Sequence, residues 1–414
     1  MYQNVGIDFL KNKLAMKQGR VAKRYQYYDM KIPDQWIMRD MPKEFMAYKS
    51  VLGWCAKAVD SVANKLQLDG FLEDNFDLMK IYQMNNMDIL CDSAILAALI
   101  GSCSFIYIST DETGFPRMRV IDAYNATGMI DPVTYMLYEG YAVLDRDANG
   151  NPVTEAYFEK GRTTFYEKDR EPYTLLNSAP YPLLVPIIFR PDATRAFGHS
   201  RISRACMDRT NAAMRTLKRS EIASEFYSYP QRYVLGMDGG AETDDDAQQN
   251  AQQTFDKWAA AMSAFFRVDK DEDGDHPVVG QFPQQSMAPF MEELRMQAGL
   301  FAGETGLTLD DLGFPSQNPS SAEAIEASHR ELIETVEKAQ RTFGTGFLNA
   351  GFLCACIRDD YPYLRQQIYL TKPKFKPPYK PNAAQLGAFG DAIVKIKQSF
   401  PDYSDEELRA LIGI

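Results

Sequence analysis

The chain has 414 residues, of which 45% are apolar, 12% aromatic and 24% charged, and its formal net charge is −11. This composition is too apolar for a disordered protein and too charged for a bundle of membrane helices, so the chain is predicted to fold around one or more cores. The six cysteines show no CxxC spacing, which favours buried thiols over a zinc site. No secretory signal peptide is expected, because Asn4 and Asp8 interrupt the N-terminal segment ahead of a basic stretch.

The negative charge is concentrated in one segment. Residues 238–275 contain eleven acidic and three basic residues, a local net charge of −8. Affinity for DNA comes mainly from basic groups that release counterions from phosphate, so the overall charge argues against tight DNA binding. A weakly repulsive wall would nevertheless allow DNA to slide past it. The charge pattern is therefore compatible with both a DNA conduit and a protein-binding module.

The N-terminal part is predicted to be helical up to about residue 85, with an amphipathic stretch at residues 51–68. One helical face of that stretch carries Val51, Trp54, Cys55, Ala58, Val62 and Leu66. The apolar run at residues 89–108 has the length of a membrane span. Polar residues interrupt it, and its end is rich in strand-forming residues, which favours a buried helix that turns into a strand at Gly101.

Alternating apolar residues then predict an antiparallel sheet. The expected strands are residues 105–108, 118–121, 135–143, 154–158 and 163–166. Residues 111–114 and 147–150 have the composition of hairpin turns. The predicted fold class is α+β.

The second half begins with a predicted helix at residues 199–227, which is the most basic element of the chain. A strand is predicted at residues 231–235, and a pair of strands at residues 265–268 and 278–279, around the acidic segment. A helix at 289–305 and a loop at 312–319 are expected to follow. The longest helix is predicted to start at a capping box of Ser320 and Glu323, to continue to about residue 357, and to bend at Gly344 or Gly346. Residues 371–381 are predicted to be an extended linker before two terminal helices.

No catalytic, metal or cofactor site is predicted. Residues 198–202 lack the second glycine of a nucleophile elbow, so Ser200 is interpreted as the N-cap of the basic helix. Residues 269–280 begin like a calcium-binding loop but end in glycine where glutamate is needed. The adjacent acids Asp310 and Asp311 are interpreted as helix-terminal or solvated, and no phosphate-binding loop of an ATPase is present.

Several segments, in their order along the chain, resemble the portal proteins of long-tailed bacteriophages. The resembling segments are residues 51–60 and 66–71, 189–192 with 197–203, 225–236, 279–283 and 318–325. The last of these, NPSSAEAI, is the most specific and resembles the family's tunnel loop followed by a long helix. The resemblance implies a portal fold and a ring subunit at one capsid vertex, through which double-stranded DNA is packaged and ejected.

The resemblance also implies a division of the chain into portal subdomains. They are a wing at 1–198, a first stem helix at 199–226, a clip at 227–285, a second stem helix at 286–305, a tunnel-loop region at 306–321, a long helix returning to the wing at 322–358, and a wing and small crown at 359–414.

Three groups of residues are implied as functional. The tunnel loop would face DNA through Gln317, Asn318, Ser320 and Ser321. The basic face of the first stem helix would face the lumen or a neighbouring subunit through Arg209, Arg215, Lys218 and Arg219. The acidic clip would present Asp244, Asp245, Asp246, Asp271 and Asp273 to a partner.

The partners implied are other copies of the chain in a ring of twelve, the terminase large subunit, a head-completion adaptor, and the major capsid and scaffold proteins. DNA would pass without sequence specificity, no membrane would be involved, and the protein would be assembled in the host cytoplasm and act in the virion. The alternatives are a metal-dependent phage nuclease, which would assemble its site from scattered acids, and a virion structural protein that is not a portal.

Overall fold

The structure is a computed structural model that describes residues 5–33, 50–228, 232–235, 278–281, 286–315, 327–379 and 383–399. The chain divides into two compact units. The first comprises Met1–Ile32, Leu52–Thr210 and Gly299–Ile414, and the second comprises Pro33–Val51 and Asn211–Ala298. The boundary between them falls inside two long helices.

Helices and strands are both abundant, as the predicted fold class requires. The helices are α1 (Ile7–Tyr28), α2 (Trp54–Ala63), α3 (Leu78–Gln83), α4 (Met87–Gly101), α5 (Arg204–Ser228), α6 (Ala288–Thr305), α7 (Arg330–Arg358) and α8 (Ala383–Ser399). The strands are β1 (Leu68–Leu72), β2 (Cys103–Thr110), β3 (Pro116–Asp122), β4 (Ala126–Ile130), β5 (Leu137–Arg146), β6 (Pro152–Glu159), β7 (Arg162–Glu167), β8 (Tyr173–Leu176), β9 (Leu184–Ile188), β10 (Arg232–Leu235), β11 (Val278–Gln281) and β12 (Lys372–Phe375).

The first unit contains three antiparallel sheets, with strand orders β3-β2-β9, β4-β5-β6-β7-β8 and β1-β12. All five strands predicted between residues 105 and 166 are confirmed. Both hairpin turns are confirmed as well, because the Asp111 carboxylate accepts the amides of Thr113 and Phe115 at 2.9 Å, and Asp147 accepts those of Asn149 and Asn151.

Two expectations about segment ends were wrong. Helix α2 starts only at Trp54, so Val51 lies outside it and is 57% exposed, whereas the other five residues of the predicted apolar face are buried. The Pro/Lys-rich segment after residue 371 is partly a strand rather than a linker, because residues of β12 pair with β1. Proline is tolerated there since a two-stranded sheet has only edge strands.

Helix α4 contains the first part of the apolar run at residues 89–108, which has the length of a membrane span. It is buried along most of its length, ends at Gly101, and passes through Ser102, with φ of 92°, directly into β2. The predicted helix-to-strand turn is therefore confirmed. Across the ranges that the structure describes, no helix combines the length and apolar character of a membrane span.

Helix α7 forms the centre of the first unit and contacts β9, β12, β2, β3 and α3. It continues without interruption through the two glycines that were predicted to bend it. A Cβ on Gly344 would come within 2.6 Å of Pro373, and one on Gly346 within 2.7 Å of Ile187. These glycines therefore allow strands to pack closely against the helix.

Helix α1 packs on the five-stranded sheet, where Leu10 and Leu14 join a buried cluster with Tyr141 and Val143. The buried Glu139 accepts hydrogen bonds from the backbone amides of residues 5 and 6, at 2.8 and 3.2 Å. A carboxylate at this position satisfies amides at the helix start and complements the helix dipole. The orientation of α1 is thus fixed by both its apolar face and its N-terminus.

In the second unit, β10 and β11 form an antiparallel hairpin in which Arg232 pairs with Gln281 and Leu235 with Val278. The predictions of strands at residues 231–235 and 278–279 are confirmed, although β11 pairs with β10, and residues 265–268 lie outside the described residues. Ser50 donates a hydrogen bond to Glu221 of α5 at 3.1 Å. Most of α5 and the first part of α6 belong to this unit.

Candidate functional site

Two of the three predicted groups of functional residues fall in segments outside the described residues. These are the tunnel-loop residues Gln317, Asn318, Ser320 and Ser321, and the acidic residues Asp244, Asp245, Asp246, Asp271 and Asp273. The capping box at Ser320 and Glu323 also lies there. The DNA-facing and clip assignments therefore stay predictions, and the structure describes only the residues that flank them.

The residues on either side of the predicted tunnel loop approach each other. Before the loop, the Asp311 carboxylate accepts hydrogen bonds from the Thr308 amide at 3.0 Å and from its hydroxyl at 2.9 Å. After the loop, Nδ1 of His329 lies 3.8 Å from the same carboxylate. Asp311 thus stabilises a turn at the loop's start and lies close to the residue at its end, which supports the structural interpretation of this acid over a metal-binding one.

The predicted basic face of α5 does not form one uniform surface. Arg219 is exposed, Arg209 and Arg215 are half-buried, and Lys218 is only 3% exposed. Arg209 also forms an ion pair with its neighbour Asp208. The four cations consequently differ in how accessible they are to DNA or to another subunit.

The start of α5 is built differently from the prediction for Ser200. Helix α5 begins at Arg204, and the hydroxyl of Ser203 accepts the Cys206 amide at 3.1 Å, so Ser203 is the N-cap. The Ser200 hydroxyl instead donates to the carbonyl of residue 100 at 2.6 Å, at the end of α4. Residues 200–203 are not helical, and Ser200 connects this turn to the end of α4.

A tight corner at residues 189–199 precedes that turn. It contains the motif residues 189–192 and the start of the motif 197–203. Gly198 has φ of +69°, and a Cβ there would lie 2.0 Å from the carbonyl oxygen of Phe189. The His199 amide donates to that same oxygen at 2.9 Å, and its ring lies 2.6 Å from the Asp192 carboxylate. This hydrogen bond to His199 is the main reason why the pKa of Asp192 lies well below its usual range. Only glycine fits at position 198.

Arg201 is the most informative side chain that sequence reasoning missed. It is 7% exposed, and its guanidinium donates to the carbonyl of Ala58 in α2 at 3.2 Å and to that of Thr305, the last residue of α6. Burial lowers the pKa of this guanidinium. Because the last carbonyls of a helix have no intrahelical donor, a buried arginine at this place satisfies the end of α6 and complements its dipole.

Helix α2 supports the same region from the side. The Cys55 thiol lies 3.3 Å from the Thr210 hydroxyl of α5, and the Trp54 ring lies 5.5 Å from the ring of Phe301 in α6. Ser203 also donates to Glu304 at 3.0 Å. The starting residues of α5 and the final residues of α6 are therefore joined to each other through a buried polar and aromatic cluster.

The contacts of this region hold the start of α5 and the end of α6 in place. In the portion of the chain that the structure describes, no three His, Cys, Asp or Glu side chains are grouped so that they could hold a metal ion. All six cysteines are buried and reduced, and burial raises the pKa of Cys55 to about 12 and that of Cys103 to about 11. Such thiols are poor nucleophiles near neutral pH.

The basic helix predicted at residues 199–227 includes Arg201, and this prediction makes Arg201 look like a surface residue. The available signal was its place two residues before the capping serine Ser203, after a glycine-containing corner. Whether a long cationic side chain is buried depends on segments distant in sequence, which for Arg201 are those around residues 58 and 305. Sequence spacing alone could not have identified those partners.

Comparisons with known proteins extend across most of the chain. Residues 7–386 match the family described as phage portal protein, SPP1 Gp6-like. The portal protein of Mycobacterium phage L5 is 28% identical over 342 residues, covering 78% of this chain and 68% of the relative. The portal protein of Mycobacterium phage D29 is 27% identical over 336 residues, covering 77% and 67%.

Matches to solved structures were also found. One is a chain from the neck of the native gene transfer agent particle computed with C12 symmetry, with 14% identity, a TM-score of 0.44, and coverage of 87% of this chain and 89% of that one. Another is an HK97 family phage portal protein from Corynebacterium diphtheriae, with 12% identity, a TM-score of 0.40, and coverage of 80% and 94%. On the match of residues 7–386, this chain belongs to the SPP1 Gp6-like family of phage portal proteins.

Proposed function

We propose that this portal protein of a tailed phage forms a ring of twelve copies at one capsid vertex, and that double-stranded DNA enters and leaves the head through the ring. The observation that carries the proposal is the family match over residues 7–386. The division of the chain into two units also supports the proposal. It falls within α5 and α6, as expected for two long helices that lead to and from a separate unit.

The subdomain roles follow from the resemblance. Residues 1–198 act as the wing, 199–226 and 286–305 as the stem, 227–285 as the clip, 306–321 as the tunnel-loop region, and 322–414 as the long helix with the rest of the wing and a small crown. The cluster around Arg201 then lies at the wing end of both stem helices. A buried arginine that donates to both Ala58 and Thr305 would hold the two stem helices at a fixed spacing.

The two groups outside the described residues have complementary roles in this proposal. Gln317, Asn318 and Ser320 contact the DNA backbone as short neutral donors, which touch phosphate without the grip of a full charge. The 3.8 Å approach of His329 to Asp311 supports a loop anchored at both ends. The acidic clip residues Asp244, Asp245 and Asp246 dock the terminase large subunit and later the head-completion adaptor through charge complementarity.

The stem cations are assigned according to their exposure. Arg219, which is exposed on α5, contacts a neighbouring subunit or the lumen, whereas Lys218 stabilises the second unit from within. Since the channel needs weak contact with phosphate, few accessible cations along it would favour sliding.

The test is electron microscopy of the purified full chain across a range of concentrations, with native mass spectrometry to count subunits. Twelve-membered rings with a central channel are expected. A monomer at every concentration, or a closed oligomer without a channel, would contradict the proposal. Incubation of the same preparation with duplex DNA and Mg²⁺ or Mn²⁺ tests the nuclease alternative, for which cleavage that depends on the metal would be required.

A second test addresses the tunnel loop. Replacing Gln317, Asn318 and Ser320 together by alanine should reduce the DNA retained in particles assembled with the variant, while rings still form. Gln83→Ala, at an exposed position of α3, is the control. Equal DNA retention in the triple variant and the control would remove the loop from the proposal.

A further inference from the structure

A cationic pocket lies in the first unit, between α1, the start of β4 and the corner that precedes α5. Lys13, Lys17, Arg20 and Arg24 follow one another at spacings of four, three and four residues, so they share one helical face. Arg195 reaches the same place from the corner before α5. The pocket has a volume of about 350 Å³.

These cations have no anionic partner within the described part of the chain. Lys13 and Arg24 donate to backbone carbonyls at 2.7 and 2.8 Å, and Lys13 also donates to the sulfur of Met129 at 3.2 Å. The Lys17 ammonium lies 4.6 Å from the centre of the Phe197 ring. The charges that act on Lys17 are those of Arg20 and a buried thiol. Burial is the main cause that lowers the pKa of Lys17 and brings that of Lys13 to about 8. A bound anion would offset both the repulsion between these cations and the cost of their burial.

The walls of the pocket indicate which anion fits. Apolar groups of Val21, Phe105, Ala126 and Phe197 line it between the cations. A concave site of this volume admits a side chain but not a DNA duplex, whose phosphates would reach only its rim. Mixed apolar and cationic walls suit a carboxylate that arrives on a polypeptide beside apolar atoms.

The opposite end of α4 carries a candidate for that carboxylate. Asp88 and Asp92 are exposed one turn apart, with Ile89 beside them 73% exposed. Neither acid forms an ion pair within the described ranges, and partial burial together with Asp88 raises the pKa of Asp92. The helix dipole favours Asp88 in the first turn but not Asp92 in the next, so like-charge repulsion between the two is left uncompensated.

The geometry points to a contact between copies: we propose that the pocket of one subunit receives the Asp88 and Asp92 carboxylates of a second copy of this chain. The inference rests on the ring proposed above. A closed ring requires two different, complementary patches on every subunit. Here the pocket borders the C-terminal end of α4, at Gly101, and the acids lie at its N-terminal end, about 14 to 20 Å away at 1.5 Å per residue.

Charge reversal in the full chain tests the contact, with ring formation read by electron microscopy and light scattering at several salt concentrations. The pocket variant is Lys17→Glu with Arg20→Glu, and the acid variant is Asp88→Lys with Asp92→Lys. Each should raise the subunit concentration needed for half-assembly by about tenfold or more, and the chain carrying all four changes should return to within about threefold of the wild type. Lys31→Glu and Glu112→Lys are exposed controls that should assemble normally.

Arg20→Glu alone, at an exposed position, keeps the test valid if the partly buried Lys17 position proves necessary for folding. Normal assembly of the single and double variants would overturn the inference, as would failure of the four-change chain to recover. Loss of binding to a duplex DNA oligonucleotide with intact rings would also overturn it, since the pocket would then serve nucleic-acid phosphate. Failure of the wild type to form rings would instead refute the proposed function.

Discussion

Replacement of Arg201 by methionine tests the buried cluster at the base of α5 and α6. Methionine keeps much of the apolar length but leaves the Thr305 carbonyl at the end of α6 without a donor. Leaving the buried Thr305 carbonyl unsatisfied costs about 1 to 3 kcal/mol. The Ala58 carbonyl also loses its charged donor, which adds only about 1 kcal/mol because the Ser61 hydroxyl donates to it as well. The expected destabilisation is therefore about 2 to 4 kcal/mol.

Urea unfolding followed by circular dichroism measures this effect. With an m-value of about 3 kcal/mol/M, a loss of 3 kcal/mol lowers the midpoint by about 1 M. Arg204→Met, at an exposed position three residues later, should shift the midpoint by less than about 0.2 M and is the matched control. If Arg201→Met and the control have the same midpoint, the guanidinium does not hold the end of α6.

Further outcomes concern packing, thiols and a turn carboxylate. Gly346→Ala should destabilise by about 1 to 3 kcal/mol, because its Cβ would lie 2.7 Å from Ile187, whereas Gly299→Ala, in open space on α6, should raise the melting temperature; equal shifts would contradict this. The six buried cysteines should react with a thiol reagent at pH 8 only after denaturation, and a fast-reacting thiol in the native protein would be inconsistent with their burial. Carboxyl NMR should give Asp111 a pKa of about 2, which is held low mainly by the hydrogen bond from the Thr113 hydroxyl. The contribution of this carboxylate to stability should therefore be complete above about pH 4 and disappear toward pH 2. An ordinary pKa near 3.8 would refute the turn geometry.

Local patterns determined a large part of this protein. Alternation of apolar residues specified five strands, and the turns at Asp111 and Asp147 were recognisable because an Asp carboxylate binds the amides that follow it. The apolar run that became α4 was assigned correctly because its polar interruptions and its β-branched end argued against a membrane span. The family resemblance likewise depended on short segments whose order, rather than any one residue, was specific.

The tertiary structure decided what depends on partners distant in sequence. Ser200 looked like a helix cap and instead bonds to the end of α4, and Gly344 and Gly346 looked like bends and instead let strands approach α7. Arg201 looked like one of several surface cations and became a buried link. In each case the local sequence offers two acceptable conformations, and the choice is made by contacts with segments 29 to 159 residues away, whose energies no local pattern contains.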